Sequence, residues 1–164
     1  MALFPDFLIG PEAMKYFEKG YEHQVTGELD KAVYNYKKSL EIEPTAEGYT
    51  FLGWAYSFMG EYRKAINECL KAIEIDPDFG NPYNDIGSYL TSLGEFDEAV
   101  QWLNNAKNAA RYANPEFPCC NLGRIYENLG KIDLAIREYK AALSHNERYT
   151  PARQALKRLE ALLN

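Results

Sequence analysis

The stretch AEGYTFLGWAYSFMGEYRKAINECLKAIEIDPDF, residues 46–79, divides into two helix-sized segments on either side of a glycine. In the first segment, Tyr49, Leu52 and Tyr56 recur at intervals of three and four, which places them on one face of a helix. Gly60 then supplies the left-handed residue that closes many helices, and acidic residues follow where a new helix dipole favours negative charge. The second segment has its own apolar face, made by Tyr62, Ala65, Ile66, Cys69, Ala72 and Ile73. The stretch therefore predicts two helices joined by a tight turn.

Small residues recur along the whole chain at the spacing of this helix pair. Gly20, Gly53, Gly87 and Gly123 are separated by 33, 34 and 36 residues. The same three intervals separate the members of three further series: Gly27, Gly60, Gly94 and Gly130; Ala32, Ala65, Ala99 and Ala135; Ser39, Ala72, Ala106 and Ala142. Four series with identical spacing predict four copies of one unit. Within a unit, residues as small as Gly53 and Ala65 let the two helices approach closely.

This pattern resembles the tetratricopeptide repeat family, whose 34-residue unit places large, small and proline residues at fixed positions. Those positions are held here by Tyr49, Leu52-Gly53, Tyr56, Ala65, Cys69 and Pro77, with Cys69 replacing an aromatic residue. The resemblance extends from Ala13 to Tyr149. It implies an all-α fold, a right-handed α-solenoid of four helix-turn-helix repeats. The expected parts are an apolar N-terminal extension at 1–12, repeats at 13–45, 46–79, 80–115 and 116–149, and a C-terminal capping helix at 150–164.

Three departures from the repeat pattern carry predictions of their own. The first unit has Lys19 and His23 where the pattern has Leu and Tyr, which is tolerable because no preceding repeat covers that side. The third unit is two residues longer, and RYANP replaces the usual proline turn, which predicts a longer second helix. Lys157 stands where the other units have glycine, so we expect the last helix to end the stack.

The resemblance also implies which residues face a concave wall, formed mainly by the first helix of each repeat. In the second unit these are Phe51, Trp54 and Phe58, on the side of the helix roughly opposite Tyr49 and Tyr56. The predicted peptide-binding groove consists of Phe17, Tyr21, Phe51, Trp54, Phe58, Asn81, Asn84, Ser88, Asn121 and Arg124. One half of this wall is therefore aromatic, and the other half offers amides and one arginine.

The predicted function is protein–protein interaction, as an adaptor, scaffold or chaperone-like module that binds a peptide segment in this groove. Aromatic anchors supply much of the binding energy at interfaces, so the rings are expected to receive apolar side chains. Asparagine side chains both donate and accept hydrogen bonds, so Asn84 and Asn121 are expected to contact the peptide backbone.

The same rings can instead have a purely structural role. They can pack between neighbouring first helices, or they can be covered by the apolar N-terminal residues Leu3, Phe4, Phe7, Leu8 and Ile9. Docking of that N-terminus on a second copy would make the protein a self-assembling structural subunit, a possible homo-oligomer.

One known mode of binding in the family is not expected here. Some members grip the C-terminal carboxylate of chaperone tails with a lysine and an asparagine in one repeat. The matching positions hold Phe17 and Tyr21, or Thr50 and Trp54 one unit later.

Composition narrows the class of partner. The chain has 164 residues, a net charge of -6 and a pI near 5.0, so nucleic acid and anionic membranes are not expected partners. No apolar stretch is long enough to span a bilayer, and the start, MALFPDFLIGPEA, lacks a basic region and is expected to belong to the mature chain. Three cysteines, two of them adjacent, fit a reducing, cytoplasmic environment.

Nothing in the sequence predicts catalysis, a metal site or a cofactor. The glycines lie at repeat spacing and do not form a phosphate-binding loop. Cys119 and Cys120 are adjacent, so they lack the Cys-x-x-Cys spacing of a metal site. Cys120 is expected to point to the groove, where a reactive thiol would be the one route to chemistry. The sequence therefore predicts a non-enzymatic protein.

Overall fold

A computed structural model describes residues 9–163, and this part of the chain consists of α-helices joined by turns and loops. It contains nine helices: α1 (Pro11–Val25), α2 (Leu29–Ile42), α3 (Ala46–Phe58), α4 (Tyr62–Ile75), α5 (Gly80–Ser92), α6 (Phe96–Asn108), α7 (Glu116–Asn128), α8 (Ile132–His145) and α9 (Thr150–Leu163). The prediction of an all-α repeat fold is confirmed. None of the described helices is both long and apolar enough to cross a membrane.

The helices form two compact units, one ending at Pro77 and the other beginning at Asp78. In the first unit α1 packs on α2, α2 on α3, and α3 on α4. In the second unit α5 packs on α6, α6 on α7, α7 on α8, and α8 on α9. The start of α1 is held by the carboxylate of Glu43, which accepts a hydrogen bond of 2.7 Å from the backbone N–H of Gly10. The predicted limits of the individual repeats stay predictions.

The glycines of the first series lie where the two helices of a pair meet. A β-carbon built on Gly53 would lie 3.1 Å from the carbonyl oxygen of Ala65 and 3.2 Å from the sulfur of Cys69. The equivalent atom on Gly123 would lie 2.6 Å from the ring of Tyr139. Side chains 16 residues later therefore fill the space that each glycine leaves. The predicted close approach of the helices is confirmed.

The glycines of the second series close the first helix of each pair. Gly60 has a φ of +77°, in the left-handed region that residues with a β-carbon rarely adopt. The N–H groups of Gly60 and Glu61 donate to the carbonyls of Ser57 and Tyr56, both at 2.9 Å. These bonds satisfy carbonyls at the helix end, as in the Schellman motif.

The prediction of a longer second helix in the third unit is wrong. α6 has 13 residues, whereas α2, α4 and α8 have 14 each. The additional residues form a loop, 109–115, that returns to the start of α5: Gly80 N–H donates to the Arg111 carbonyl and Arg111 N–H to the Asp78 carbonyl, each at 2.9 Å. The Arg111 guanidinium lies 4.2 Å from the ring centroid of Phe79. Pro115 disfavours helical backbone at Asn114, and the loop finds its hydrogen bonds elsewhere.

The last helix packs by one face only. Ala152, Ala155, Leu156 and Leu159 are buried with residues of α7 and α8 in a common apolar cluster. Lys157 occupies the position that glycine holds in the other units. Its side chain is exposed, so no further helix within residues 9–163 packs against it.

Candidate functional site

Four rings of the first unit make up the surface that we call the aromatic face: Tyr21 on α1 and Phe51, Trp54 and Phe58 on α3. The Phe51 and Trp54 rings lie 4.6 Å apart between centroids, and Tyr21 and Phe51 lie 6.1 Å apart. Three of the rings are half-buried, whereas Phe58 is 67% exposed. Intervals of three and four residues along α3 put its three rings on one side of the helix.

Phe17, the fifth predicted aromatic residue of the groove, belongs to the core instead. Its side chain is fully buried, with its ring centroid 4.9 Å from that of Phe51 and 5.5 Å from that of Tyr36. Phe17 thus lies beneath Phe51 and supports it. The prediction failed because repeat position alone does not distinguish an inward ring on α1 from an outward one.

The Tyr36 side chain extends this buried ring cluster. Its hydroxyl donates a 2.9 Å hydrogen bond to the side-chain oxygen of Gln24, and burial raises the pKa of Tyr36 above its usual value. The buried Thr50 hydroxyl is also satisfied, by the carbonyl of Ala46 at 2.8 Å. Residues 1–8, which include Leu3, Phe4, Phe7 and Leu8 from the predicted cover of these rings, lie outside the described residues.

The second unit carries a polar surface that we call the amide face. It consists of Asn81, Asn84, Ser88, Asn121 and Arg124. Asn121 donates a 3.0 Å hydrogen bond from Nδ2 to Oδ1 of Asn84, so α7 and α5 are joined at this point. Asn84 is buried, at 8% exposed, while Asn121 is half-buried and Arg124 exposed. Asn121 therefore keeps its side-chain oxygen available as an acceptor.

The expectation that Cys120 faces the groove is wrong. Its side chain is only 1% exposed, and Cys119 is fully buried. Burial raises the pKa of Cys119 to about 11 and also raises the pKa of Cys120, against the opposing effect of nearby Arg124. Because the thiolate is the nucleophilic form, neither sulfur has the environment of a reactive cysteine.

Next to the amide face lies a cleft of about 410 Å³ between α7, α8 and α9, which we call the α7–α9 cleft. Its lining residues are Arg124, Glu127, Tyr139, Pro151, Gln154, Ala155 and Arg158. Among these, only Arg124 belongs to the groove predicted from sequence. The sequence did hold a signal for Arg158: it follows Arg124 by 34 residues, one repeat length, so the two arginines occupy equivalent helix positions.

Comparison with protein families gives three matches, each described as tetratricopeptide repeat. They cover residues 46–79, 68–101 and 118–149, which together make up more than half of the chain. Comparison with curated protein sequences gives no match.

Solved structures show the same fold. The chain resembles PilW, a widely conserved type IV pilus biogenesis factor, with a TM-score of 0.82 at 19% identity over 94% of this chain and 71% of PilW. It resembles YrrB, a tetratricopeptide repeat protein with an unusual peptide-binding site, with a TM-score of 0.71 at 18% identity over 88% and 74% of the two chains. The first such domain of Spaghetti (RPAP3), bound to the HSP90 peptide SRMEEVD, gives 0.67 at 21% identity over 75% and 99%.

The repeated glycines, the helix pairs that they allow, the family matches and the structural likenesses all agree. This chain belongs to the tetratricopeptide repeat family.

Proposed function

We propose that this chain is a non-enzymatic interaction module that binds an extended peptide segment of a partner protein. The observation that carries the proposal is the aromatic face, where Phe58 is 67% exposed on a helix of an otherwise acidic chain. An exposed ring next to half-buried ones provides the kind of anchor that dominates interface energies. A role as adaptor, scaffold or chaperone-like binder in the cytoplasm is part of this proposal.

The aromatic face suits apolar side chains of the partner. Trp54 and Phe58 are separated by one helical turn, so they can contact residues that point to the same side of an extended peptide. Phe51 is less accessible, and its packing against Phe17 holds the neighbouring Trp54 ring in place. Rings that are ordered before binding lose little conformational entropy when the partner arrives.

The amide face suits a peptide backbone. The Asn84–Asn121 hydrogen bond fixes the orientation of the Asn121 amide, and its side-chain oxygen remains able to accept a hydrogen bond from a peptide N–H. Peptide binding is also stated for two of the similar structures, YrrB and the domain bound to the HSP90 peptide. The clamp for chaperone tails is not proposed here, since Phe17 is buried and Thr50 is bonded to its own helix.

The test is selection of a random-peptide display library on the purified protein, followed by affinity measurement. Binding to the protein with an intact aromatic face is followed by tryptophan fluorescence. For this measurement Trp102 is replaced by phenylalanine, so that Trp54 is the one remaining tryptophan. The double variant Trp54→Ala, Phe58→Ala lacks this fluorescence signal, so its affinity is measured with a dye-labelled peptide. We expect its binding free energy to weaken by about 2 kcal/mol or more. Tyr34→Ala is the matched control, because Tyr34 is 59% exposed on α2, away from the aromatic face. Equal binding by the double variant and the control would contradict the proposal.

The alternative function is self-assembly through the apolar N-terminal residues and the exposed rings. Light scattering over a range of concentrations separates it from peptide binding, with and without residues 2–8. A deletion that ends at Leu8 leaves intact the bond between Gly10 and Glu43. A mass that stays monomeric at all concentrations would exclude self-assembly.

A further inference from the structure

The α7–α9 cleft has a local charge opposite to that of the whole chain. Its lining holds two arginines and one glutamate, whereas the chain carries a net charge of -6. The Glu127 carboxylate already has two partners: it accepts a hydrogen bond of 2.5 Å from the Tyr139 hydroxyl and lies 2.8 Å from the Arg158 guanidinium. Arg124 makes no hydrogen bond or ion pair through its guanidinium within the described part of the chain. The cleft thus has one more cation than its own anion can balance.

Arg158, on α9, is held in position by its ion pair with Glu127. Tyr139 is buried at 1% exposed and fixes Glu127, whose side chain is only 17% exposed and in turn orients Arg158. A guanidinium has five N–H donors in a planar arrangement, and the ion pair with Glu127 leaves some of them directed to solvent. Since Arg158 is 57% exposed, these donors can be reached by a ligand. An oriented arginine loses little side-chain entropy on binding.

The ligand class follows from these donors. Planar carboxylates match the geometry of guanidinium groups and are bound in pairs of parallel hydrogen bonds. The side-chain amide of Gln154 adds a neutral donor on the same helix, one turn before Arg158. A cleft of about 410 Å³ has room for one acidic side chain or for the end of a chain.

We propose that the α7–α9 cleft is a carboxylate-binding site in which Arg124 and Arg158 receive an acidic side chain or a chain terminus of the bound peptide. This site depends on the proposed function in one respect, because the carboxylate is assigned to the peptide partner. That peptide would then carry a carboxylate next to the segment that contacts the amide face. The site itself is defined by the two arginines, Glu127 and Tyr139, and it can be tested without any partner.

The experiment uses three small probes on the full-length protein labelled with nitrogen-15, in a buffer without phosphate. N-acetylglycine presents a terminal carboxylate, the aspartate derivative N-acetylaspartyl amide presents a side-chain carboxylate, and N-acetylglycinamide is the neutral control. The Nε–Hε signals of Arg124 and Arg158 are followed during titration. We expect both signals to shift in a saturable manner with at least one carboxylate probe and not with the neutral probe. Whichever carboxylate binds more tightly identifies the source.

Two variants make the result specific to the site. Arg124→Gln should weaken carboxylate binding, seen at Arg158, by about fivefold. Arg137→Gln is the matched control, since Arg137 is another exposed arginine, on α8 and outside the lining of the cleft, and this variant should bind as the wild type does. Equal affinity of the two variants, or equal shifts with the neutral probe, would overturn the proposal. Failure of the tryptophan and phenylalanine variant to alter peptide binding would overturn the proposed function and leave this site standing.

Discussion

Gly53 lies where α3 packs against the backbone of α4, and its environment explains why a glycine occurs there. The nearest atom to a β-carbon at this position would be the backbone oxygen of Ala65, at 3.1 Å, followed by the Cys69 sulfur at 3.2 Å. A side chain can turn aside, but a helix carbonyl cannot move without shifting α4. Even the β-carbon of alanine is tightly placed here, and a larger side chain has to separate the two helices.

We expect Gly53→Leu to lower the free energy of unfolding by about 1–3 kcal/mol through overpacking. The measurement is urea denaturation followed by circular dichroism. Asn67→Leu adds a leucine at an exposed position of α4 and serves as the control, with an expected change within about 0.5 kcal/mol. A leucine at position 53 that proved harmless would mean that the helices are free to separate at this point.

The candidate site was predictable from sequence at the level of single residues only where repeat position determines exposure. Phe58 and Arg124 are exposed, as that position implies. Phe17 and Cys120 have comparable positions but are buried, because neighbouring rings and helices cover them. Burial depends on the size of neighbours that are distant in sequence, and a spacing pattern does not contain that information.

At the scale of elements, the loop 109–115 shows where sequence inference ended. Closing glycines follow from local chemistry, and Gly27, Gly60, Gly94 and Gly130 all have the left-handed backbone that this chemistry predicts. No local rule of this kind predicts the conformation of the two additional residues of the third unit. Their conformation is decided by two backbone hydrogen bonds to the start of α5 and by the Tyr112 side chain, which packs over Gly80. A longer α6 would have lost both the two hydrogen bonds and the packing of Tyr112.

The contact between this loop and α5 gives a prediction for a pair of residues. A β-carbon on Gly80 would lie 2.5 Å from Cγ and 2.6 Å from Cβ of Tyr112, atoms too close to the backbone to swing away. Gly80→Ala should therefore destabilise the protein, and much less so in a Tyr112→Gly background, because glycine lacks both of these Tyr112 atoms. The coupling free energy from a double-mutant cycle should be about 0.5–3 kcal/mol. Strictly additive effects of the two changes would show that the loop does not depend on this contact.

At the scale of the whole molecule, the two units share one architecture but carry different chemistry. In the first unit the rings of α1 and α3 continue from the core through Phe17 and Phe51 to the surface at Phe58. In the second unit the equivalent helices, α5 and α7, present amides and Arg124. A common scaffold of small residues thus leaves the exposed positions of each repeat free to differ, which is why family membership establishes the fold and leaves the ligand to these residues.

Buried tyrosines in both units lead to a prediction about alkaline pH. Burial raises the pKa of Tyr36 in the first unit and of Tyr139 in the second, and the neighbouring Glu127 carboxylate adds to the effect on Tyr139. Partial burial also raises the pKa of the half-buried Tyr112. In the unfolded chain these groups ionise near pH 10. Below that pH both states hold the proton, so the tyrosines add no pH dependence. Above it the unfolded state loses protons that the folded state retains, and stability falls as pH rises.

We therefore expect the free energy of unfolding to decline from about pH 10 upward, by at most about 1.4 kcal/mol per pH unit for each buried tyrosine. Urea denaturation at a series of pH values between neutral and strongly alkaline measures the slope. Tyr36→Phe should make the slope less steep even though it removes the hydrogen bond to Gln24 and lowers stability at neutral pH. Tyr34→Phe changes an exposed ring on the same helix and should leave the slope unchanged. If the two variants gave the same slope, the alkaline loss would have to come from groups other than the buried tyrosines.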